Sequence, residues 1–205
     1  MTKILLTRHG HVEGIKPERF RGREELTLTA RGRAEAEALA RRIAAEWQPS
    51  RIYTSPLRRC IETGAAIAKA CGVGAEVCGD LNDIDYGKWQ FKTFEAARTE
   101  NPALFAAWLA TPHLIRFPHG EALQDVVART ADALRLVMAR HPEETVVLVS
   151  HDGANRALLL QLLDQPLSAY WRTEQDPCCL NEIDVGGQNI RISRLNETWH
   201  LEGIT

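Results

Sequence analysis

Two short apolar runs, each ending in a histidine, constrain this chain most. Lys3-Ile4-Leu5-Leu6-Thr7 runs into Arg8-His9-Gly10, and Glu144-Thr145-Val146-Val147-Leu148-Val149-Ser150 runs into His151-Asp152-Gly153. Runs of this length, apolar on both faces, read as buried strands. An open α/β sheet binds its ligands outside the carboxyl ends of its strands. Both histidines therefore fall where such a sheet does its chemistry. If the two strands are neighbours, both rings meet in one crevice. One histidine after a strand has a plain alternative as a structural or surface side chain, but two in matching positions are harder to ascribe to chance.

The rest of the pattern supports the same class. Thr29 is placed to cap a helix that runs to about Glu46 through a stretch rich in Ala, Arg, Glu and Leu. Arg51 to Ser55 reads as a second strand. Pro56 stands near the start of a helix that runs to about Cys71 and ends before Gly72, and Ala75 to Cys78 reads as a short third strand. A long helix is expected from about Glu121 to Arg140, an apolar one after His151 to about Leu163, and a hairpin of Leu180–Val185 and Gln188–Leu195 around Gly186-Gly187. This alternation predicts an α/β fold, a three-layer αβα sandwich on a mostly parallel central sheet.

The stretch from Gly79 to Gly120 differs in character. It carries Pro102, Pro112 and Pro118, Trp89 and Trp108, and short helical pieces near Phe94–Thr99 and Pro102–Leu109. It reads as an excursion covering one edge of the sheet. One domain over 1–205, capped by an excursion at about 79–120, accounts for the length.

Charge and cysteines narrow the partners. A formal charge of -2 gives no general pull toward nucleic acid or a membrane surface, so neither is expected as a partner. No apolar run reaches the roughly 18 residues of a membrane span, and the N-terminal run is too short for a signal peptide. Cys60, Cys71, Cys78, Cys178 and Cys179 form no C-x-x-C pair and no zinc spacing. They are expected as reduced thiols in a cytoplasmic protein, monomer or homodimer, with no metal site.

Phosphoryl transfer fits the residues at the strand ends. It needs a nucleophile in line with the leaving oxygen, positive charge or N–H donors around the other oxygens, and an acid for the departing alkoxide. His9 is the candidate nucleophile. Arg8 and Gly10 beside it offer a guanidinium and an approachable backbone N–H, and His151 a second imidazole donor. In Thr54-Ser55-Pro56-Leu57-Arg58-Arg59-Cys60-Ile61-Glu62-Thr63 an arginine near a helix N-terminus adds to the positive end of the dipole. Asp83 and Asp85 are the candidate acids. Arg19, Arg21 and Arg23 crowd the loop after His9 and are placed either to grip an anionic tail or simply to sit in solvent. Trp89, Trp108 and Trp171 are candidates for a pocket wall, although core packing suits most of them.

In order and spacing these motifs resemble the histidine phosphatase superfamily, the phosphoglycerate mutase-like proteins with the Arg-His-Gly signature. The likeness covers nearly the whole chain: Leu6-Thr7-Arg8-His9-Gly10, Arg19-Phe20-Arg21-Gly22, Leu28-Thr29-Ala30-Arg31-Gly32, Ser55-Pro56-Leu57 with Arg59 and Thr63, Leu81-Asn82-Asp83 with Tyr86-Gly87 and Trp89, and Val149-Ser150-His151. The resemblance implies a phosphoglycerate mutase-like fold and a phosphomonoesterase that uses neither metal nor cofactor. Its partner would be a small-molecule phosphate ester, hydrolysed through a phosphohistidine on His9. Arg8, Arg59 and His151 would complete the phosphate pocket. Arg59 is selected over Arg58 because the family's second arginine falls four residues after the serine. Asp83 falls on the proton donor's position, commonly a Glu, with Asp85 as the neighbouring alternative. Gly10, Arg21, Tyr86 and Asp152 would lie on the substrate side.

The chain departs from the family pattern in places. Asp83 is one methylene shorter than Glu, His11 stands where Glu is frequent, Phe91 where Gly is common, and Asp152 where Gly is common. Three other readings share the pocket: a cofactor-dependent phosphoglycerate mutase, a phosphoprotein phosphatase, and a non-catalytic phosphate binder. The compact excursion and the short stretch after the hairpin favour hydrolysis over the mutase reaction, and the presence of His9, Arg8, Arg59 and His151 disfavours a module without activity.

Overall fold

The computed structural model describes residues 1–186 and 189–204. Its strands are β1 (Thr2–Arg8), β2 (Arg51–Thr54), β3 (Ala75–Val77), β4 (Thr145–Ser150), β5 (Leu180–Gly186) and β6 (Asn189–Glu197), joined in one sheet in the order β3-β2-β4-β1-β5-β6. The two histidine-bearing strands are indeed neighbours: β1 and β4 pair in parallel, with Arg8 opposite Ser150. The strands β1 to β4 run parallel, while β5 is antiparallel to β1 and β6 to β5.

Among the described residues six α-helices accompany the sheet: α1 (Ala30–Glu46), α2 (Arg58–Cys71), α3 (Phe94–Glu100), α4 (Pro102–Ala110), α5 (Leu123–Arg140) and α6 (Asp152–Leu162). Successive strand residues point to opposite faces, and that alternation builds the three layers. Leu5, Ile52, Val147 and Val149 face Leu39 and Ile43 of α1 and Ile67 of α2. Ile4, Leu6, Val146 and Leu148 face Leu134 and Val137 of α5 and Leu158 and Leu159 of α6. The core is thus apolar on both sides of the central strands, and the strand ends with their polar residues open toward the site.

Local chemistry sets the helix ends. Thr29 caps α1, its Oγ1 accepting from the Gly32 N–H at 3.0 Å. Gly72 closes α2 with φ 69°, a left-handed conformation that costs glycine little. Asn101 Oδ1 accepts from Leu104 N–H at 3.0 Å, with Pro102 at the first helical position of α4. The helix expected from Glu121 starts two residues later, at Leu123, because the Glu121 backbone is tied into the loop, its N–H donating to the Asp85 carbonyl at 2.9 Å and its carbonyl accepting from the Phe117 N–H at 3.1 Å.

The excursion does not lie over a sheet edge as expected. The edges are β3 and β6. Its aromatic residues pack instead with Phe20, with Leu123 and Val126 of α5 and with Ala154 and Ala157 of α6, because the apolar surface left uncovered belongs to these helices and to the loop after β1. Trp89 and Trp108 are core residues there, and Phe117 packs against both, with ring centroids 5.6 and 5.1 Å away. The hairpin is present as β5 and β6; of its expected turn residues, Gly186 ends β5 and Gly187 lies outside the described residues, as does Gln188, expected to open the second strand. The five cysteines are free thiols, four of them buried. Among the described residues, no helix is long and apolar enough to cross a membrane.

Candidate active site

Parallel pairing of β1 with β4 brings His9 and His151 together, their ring centroids 5.2 Å apart and their planes at 61°. His9 is 1 % exposed. Its Nδ1 lies 2.7 Å from the Gly10 carbonyl oxygen. A carbonyl only accepts, so Nδ1 carries the proton and Nε2 keeps a free lone pair. Burial, followed by the positive charges of Arg59 and Arg8, holds the ring well below the usual imidazole pKa. The ring is therefore neutral at ordinary pH.

The α2 segment supplies Arg59, which is fully buried. Its guanidinium plane is fixed by the loop after β1: Nη1 donates to the Glu24 carbonyl at 2.7 Å and Nη2 to the Gly22 carbonyl at 2.7 Å. Nη2 also donates to Asp83 Oδ2 at 3.1 Å, and Nε donates to His151 Nδ1 at 3.3 Å. Since Arg59 can only donate, His151 accepts at Nδ1, and its Nε2–H donates to Ser55 Oγ at 2.7 Å. Both nitrogens of His151 are thus engaged by protein groups, where a free second donor was expected. Burial first and Arg59 second push this ring, too, well below the usual imidazole pKa.

Of the two candidate acids, the structure brings only Asp83 into this cluster. Asp83 Oδ2 faces Arg59 and lies 3.6 Å from His151 Nδ1, while Oδ1 accepts from Ile84 N–H at 2.9 Å. Burial raises its pKa, and the attraction of Arg59 offsets this only in part. Asp85 works elsewhere: Oδ1 accepts from Gly87 N–H at 2.8 Å, and its own N–H donates to Glu121.

Arg8 is oriented by a segment remote in sequence. Its Nη1 donates to the Gln175 carbonyl at 2.6 Å, and its buried Nε has no hydrogen-bond partner among the described residues. The expectation for Gly10 is corrected. Its N–H is taken by Thr63 Oγ1 at 3.1 Å instead of facing a substrate, and a Cβ there would lie 2.4 Å from the Gly32 carbonyl. This glycine lets the loop press against the start of α1.

A cleft of about 260 Å³ opens beside Arg8, and Arg21, Tyr86 and Asp152 all line it. Arg21 donates from Nη1 to the Gly14 carbonyl at 2.8 Å, and its Nε has no partner among the described residues. Burial, with Arg8 nearby, lowers its pKa to about 10. Asp152 accepts from Arg156 Nε at 2.5 Å, one helical turn along α6. The three loop arginines therefore divide. Arg19 lies over the Phe91 ring, 4.9 Å from its centroid, and donates to the Phe91 carbonyl. Arg23 pairs with Asp85 and Glu121. Arg19 and Arg21 both line the cleft, and of the three Arg21 alone has a buried Nε with no hydrogen-bond partner among the described residues. Phe91 itself adopts φ 61°, the left-handed region that glycine prefers. The Arg19 clamp and its N–H donated to the Phe20 carbonyl at 2.7 Å hold it there.

Reading the chain alone misses Gln175, Arg156 and Tyr170. Arg156 had a signal, its place four residues after Asp152 on a helix. Gln175 had none, since it lies in an irregular segment and acts through its backbone. Ser55 stood in a motif without a role, and its contact with His151 supplies one.

Known proteins resemble this chain along nearly its whole length. The pattern of the histidine phosphatase superfamily (branch 1) matches residues 4–198. Phosphoserine phosphatase 1 of Hydrogenobacter thermophilus is 33% identical over 201 residues, covering 98% of this chain and 95% of that protein. The solved structure of Bacillus stearothermophilus YhfR superposes with a TM-score of 0.93 at 28% identity, covering 98% of this chain and 100% of that one. That of a mycobacterial glucosyl-3-phosphoglycerate phosphatase superposes with a TM-score of 0.84 at 25% identity, covering 95% and 98%. With the match spanning both histidine strands and the excursion, the chain belongs to the histidine phosphatase superfamily, branch 1.

Proposed function

We propose that this protein hydrolyses phosphate monoesters of small metabolites in two steps, through a phosphohistidine on His9. The observation that carries the reading is the His9 ring, kept neutral by burial and turned by the Gly10 carbonyl so that Nε2 is its free nitrogen. In the first step the Nε2 lone pair attacks phosphorus, the P–O bond to the alcohol breaks, and the proton of the Asp83 carboxyl passes to the leaving oxygen. In the second, a water oxygen attacks phosphorus and the P–N bond breaks. Asp83 takes the water's proton, so phosphate leaves and the carboxyl is restored.

One physical cause serves both opposing demands on protonation. Burial penalises charge, which keeps His9 unprotonated and moves Asp83 toward its acid form. Arg8 and Arg59 carry the positive charge that balances the phosphoryl oxygens. His151 buttresses Arg59 and Asp83, itself held by Ser55. Arg21 and Tyr86, on the cleft wall, meet the leaving group. Relatives named as phosphatases of phosphoserine and of glucosyl-3-phosphoglycerate support a small-metabolite ester as substrate.

Rapid quenching with a ³²P-labelled ester tests the reading. An acid-labile, base-stable adduct is expected on His9. His9→Ala loses both the adduct and at least ~10³-fold in kcat, as removal of a covalent nucleophile does. Normal turnover by a folded His9→Ala protein overturns it.

A further inference from the structure

We propose that Arg129, on α5, is the positioning residue that sets Asp83 at the reacting centre, and that Glu121 fixes Arg129 in turn. The inference rests on the reading of Asp83 as the acid. Asp83 follows a single 3₁₀ turn, Gly79–Leu81; its carboxyl is oriented by the Ile84 N–H and by Arg59, but no strand or helix holds the backbone that carries it. Arg129 does this from outside. Its Nη1 donates to the carbonyls of Asp80 at 2.9 Å and Asn82 at 2.6 Å, and its Nη2 to the carbonyl of Asp83 itself at 3.0 Å. The other two N–H groups go to Glu121, from Nε at 3.0 Å and from Nη2 at 3.2 Å. All five guanidinium hydrogens are therefore spent, three of them on the backbone that carries the acid.

Glu121 completes the frame. Its Oε1 also accepts from Arg23 Nη2 at 3.0 Å, and its Oε2 from the N–H of Asp85 at 2.9 Å, just beyond the acid. Backbone on both sides of Asp83 is thus tied to one arginine–glutamate pair. Reach explains the need. Aspartate has one side-chain torsion fewer than glutamate, so its carboxyl position follows the backbone, and a displacement of about 1 Å at a reacting group is worth on the order of 10²-fold in rate. Lysine replaces Arg129 only in part, because an ammonium is a point donor without the planar five-donor fork.

Leaving-group dependence separates positioning from general structural support. An alkyl alkoxide needs a proton as it departs, whereas a 4-nitrophenolate needs little help. The measurement is kcat/KM for ethyl phosphate and for 4-nitrophenyl phosphate, with thermal melts to confirm folding. Asp83→Asn is the reference and is expected to lower the alkyl-to-aryl ratio by at least ~10-fold, since it removes the acid. Arg129→Met should lower the same ratio by about 10-fold, with Arg129→Lys intermediate and Glu121→Gln shifted less in the same direction. If Arg129→Met does not fold, Arg129→Lys and Glu121→Gln carry the comparison. Equal losses on both esters, or none on either, overturn the positioning role while Asp83→Asn still shifts the ratio. If Asp83→Asn leaves the ratio unchanged, the acid assignment itself fails.

Discussion

Mild acid should destabilise this protein through two rings in particular. His9 and His151 are 1 % and 0 % exposed. Burial, and then Arg59, hold both well below the ordinary imidazole pKa of 6.5. The unfolded chain has no such penalty and titrates near that value. As the pH falls below it, the unfolded chain binds protons that the fold refuses, so stability declines with falling pH and is fully regained above it. Between about pH 6.5 and about pH 5.5 each ring loses about 1 kcal/mol and the pair about 2. A domain's whole stability is roughly 5–15 kcal/mol, so the effect is measurable. Asp83 contributes with the opposite sign, since its raised pKa favours the fold in acid and weakens it as the pH rises through that pKa. Urea midpoints for the parent, His9→Gln and His151→Gln at stepped pH isolate each ring, because the surface carboxylates are common to all three. Each variant should lose about half of the excess acid sensitivity, or about 1 kcal/mol over that interval. A His9→Gln protein with the parent's slope would falsify the argument: it would mean that the folded ring takes up a proton as readily as the unfolded chain does.

Three further outcomes follow from the site. Asp83→Asn should be more stable than the parent at neutral pH, because it removes a buried ionised carboxylate, yet lose about 10²–10⁴-fold of alkyl ester turnover and the alkaline limb of the rate profile; melting curves and pH–rate profiles check both halves. Gly10→Ala forces a Cβ within 2.4 Å of the Gly32 carbonyl. The overpacking should cost about 1–3 kcal/mol in chemical denaturation and lower kcat by displacing His9. Arg21→Met should raise KM several-fold while kcat holds, if its unpaired Nε binds substrate in ground and transition state alike; an unchanged KM removes Arg21 from the binding surface.

Much of this was legible in the chain because the decisive signals are local. An apolar run of strand length, a threonine before an alanine-rich helix and a histidine at a strand end are each written in a few consecutive residues. Hence β1, β4, α1 and the placing of His9 and His151 were readable, and the layered α/β fold with them. The choice between Asp83 and Asp85 was not, because it depends on which carboxyl faces Arg59 and which closes a turn at Gly87. The division of labour among Arg19, Arg21 and Arg23 was hidden for the same reason. Nor could Gly10 be told apart from a substrate-facing glycine until Gly32 was seen pressed against it.

Sequence by itself determined which groups this protein owns: the two imidazole rings, the guanidinium groups and the carboxyl, and the strands that end beside them. Tertiary structure alone decided their ionisation, their tautomers and their partners. Those properties depend on burial and on distances between residues far apart in the chain, such as Arg8 with Gln175 and Asp83 with Arg129. No local pattern encodes a distance of that kind, because only the packed core fixes it.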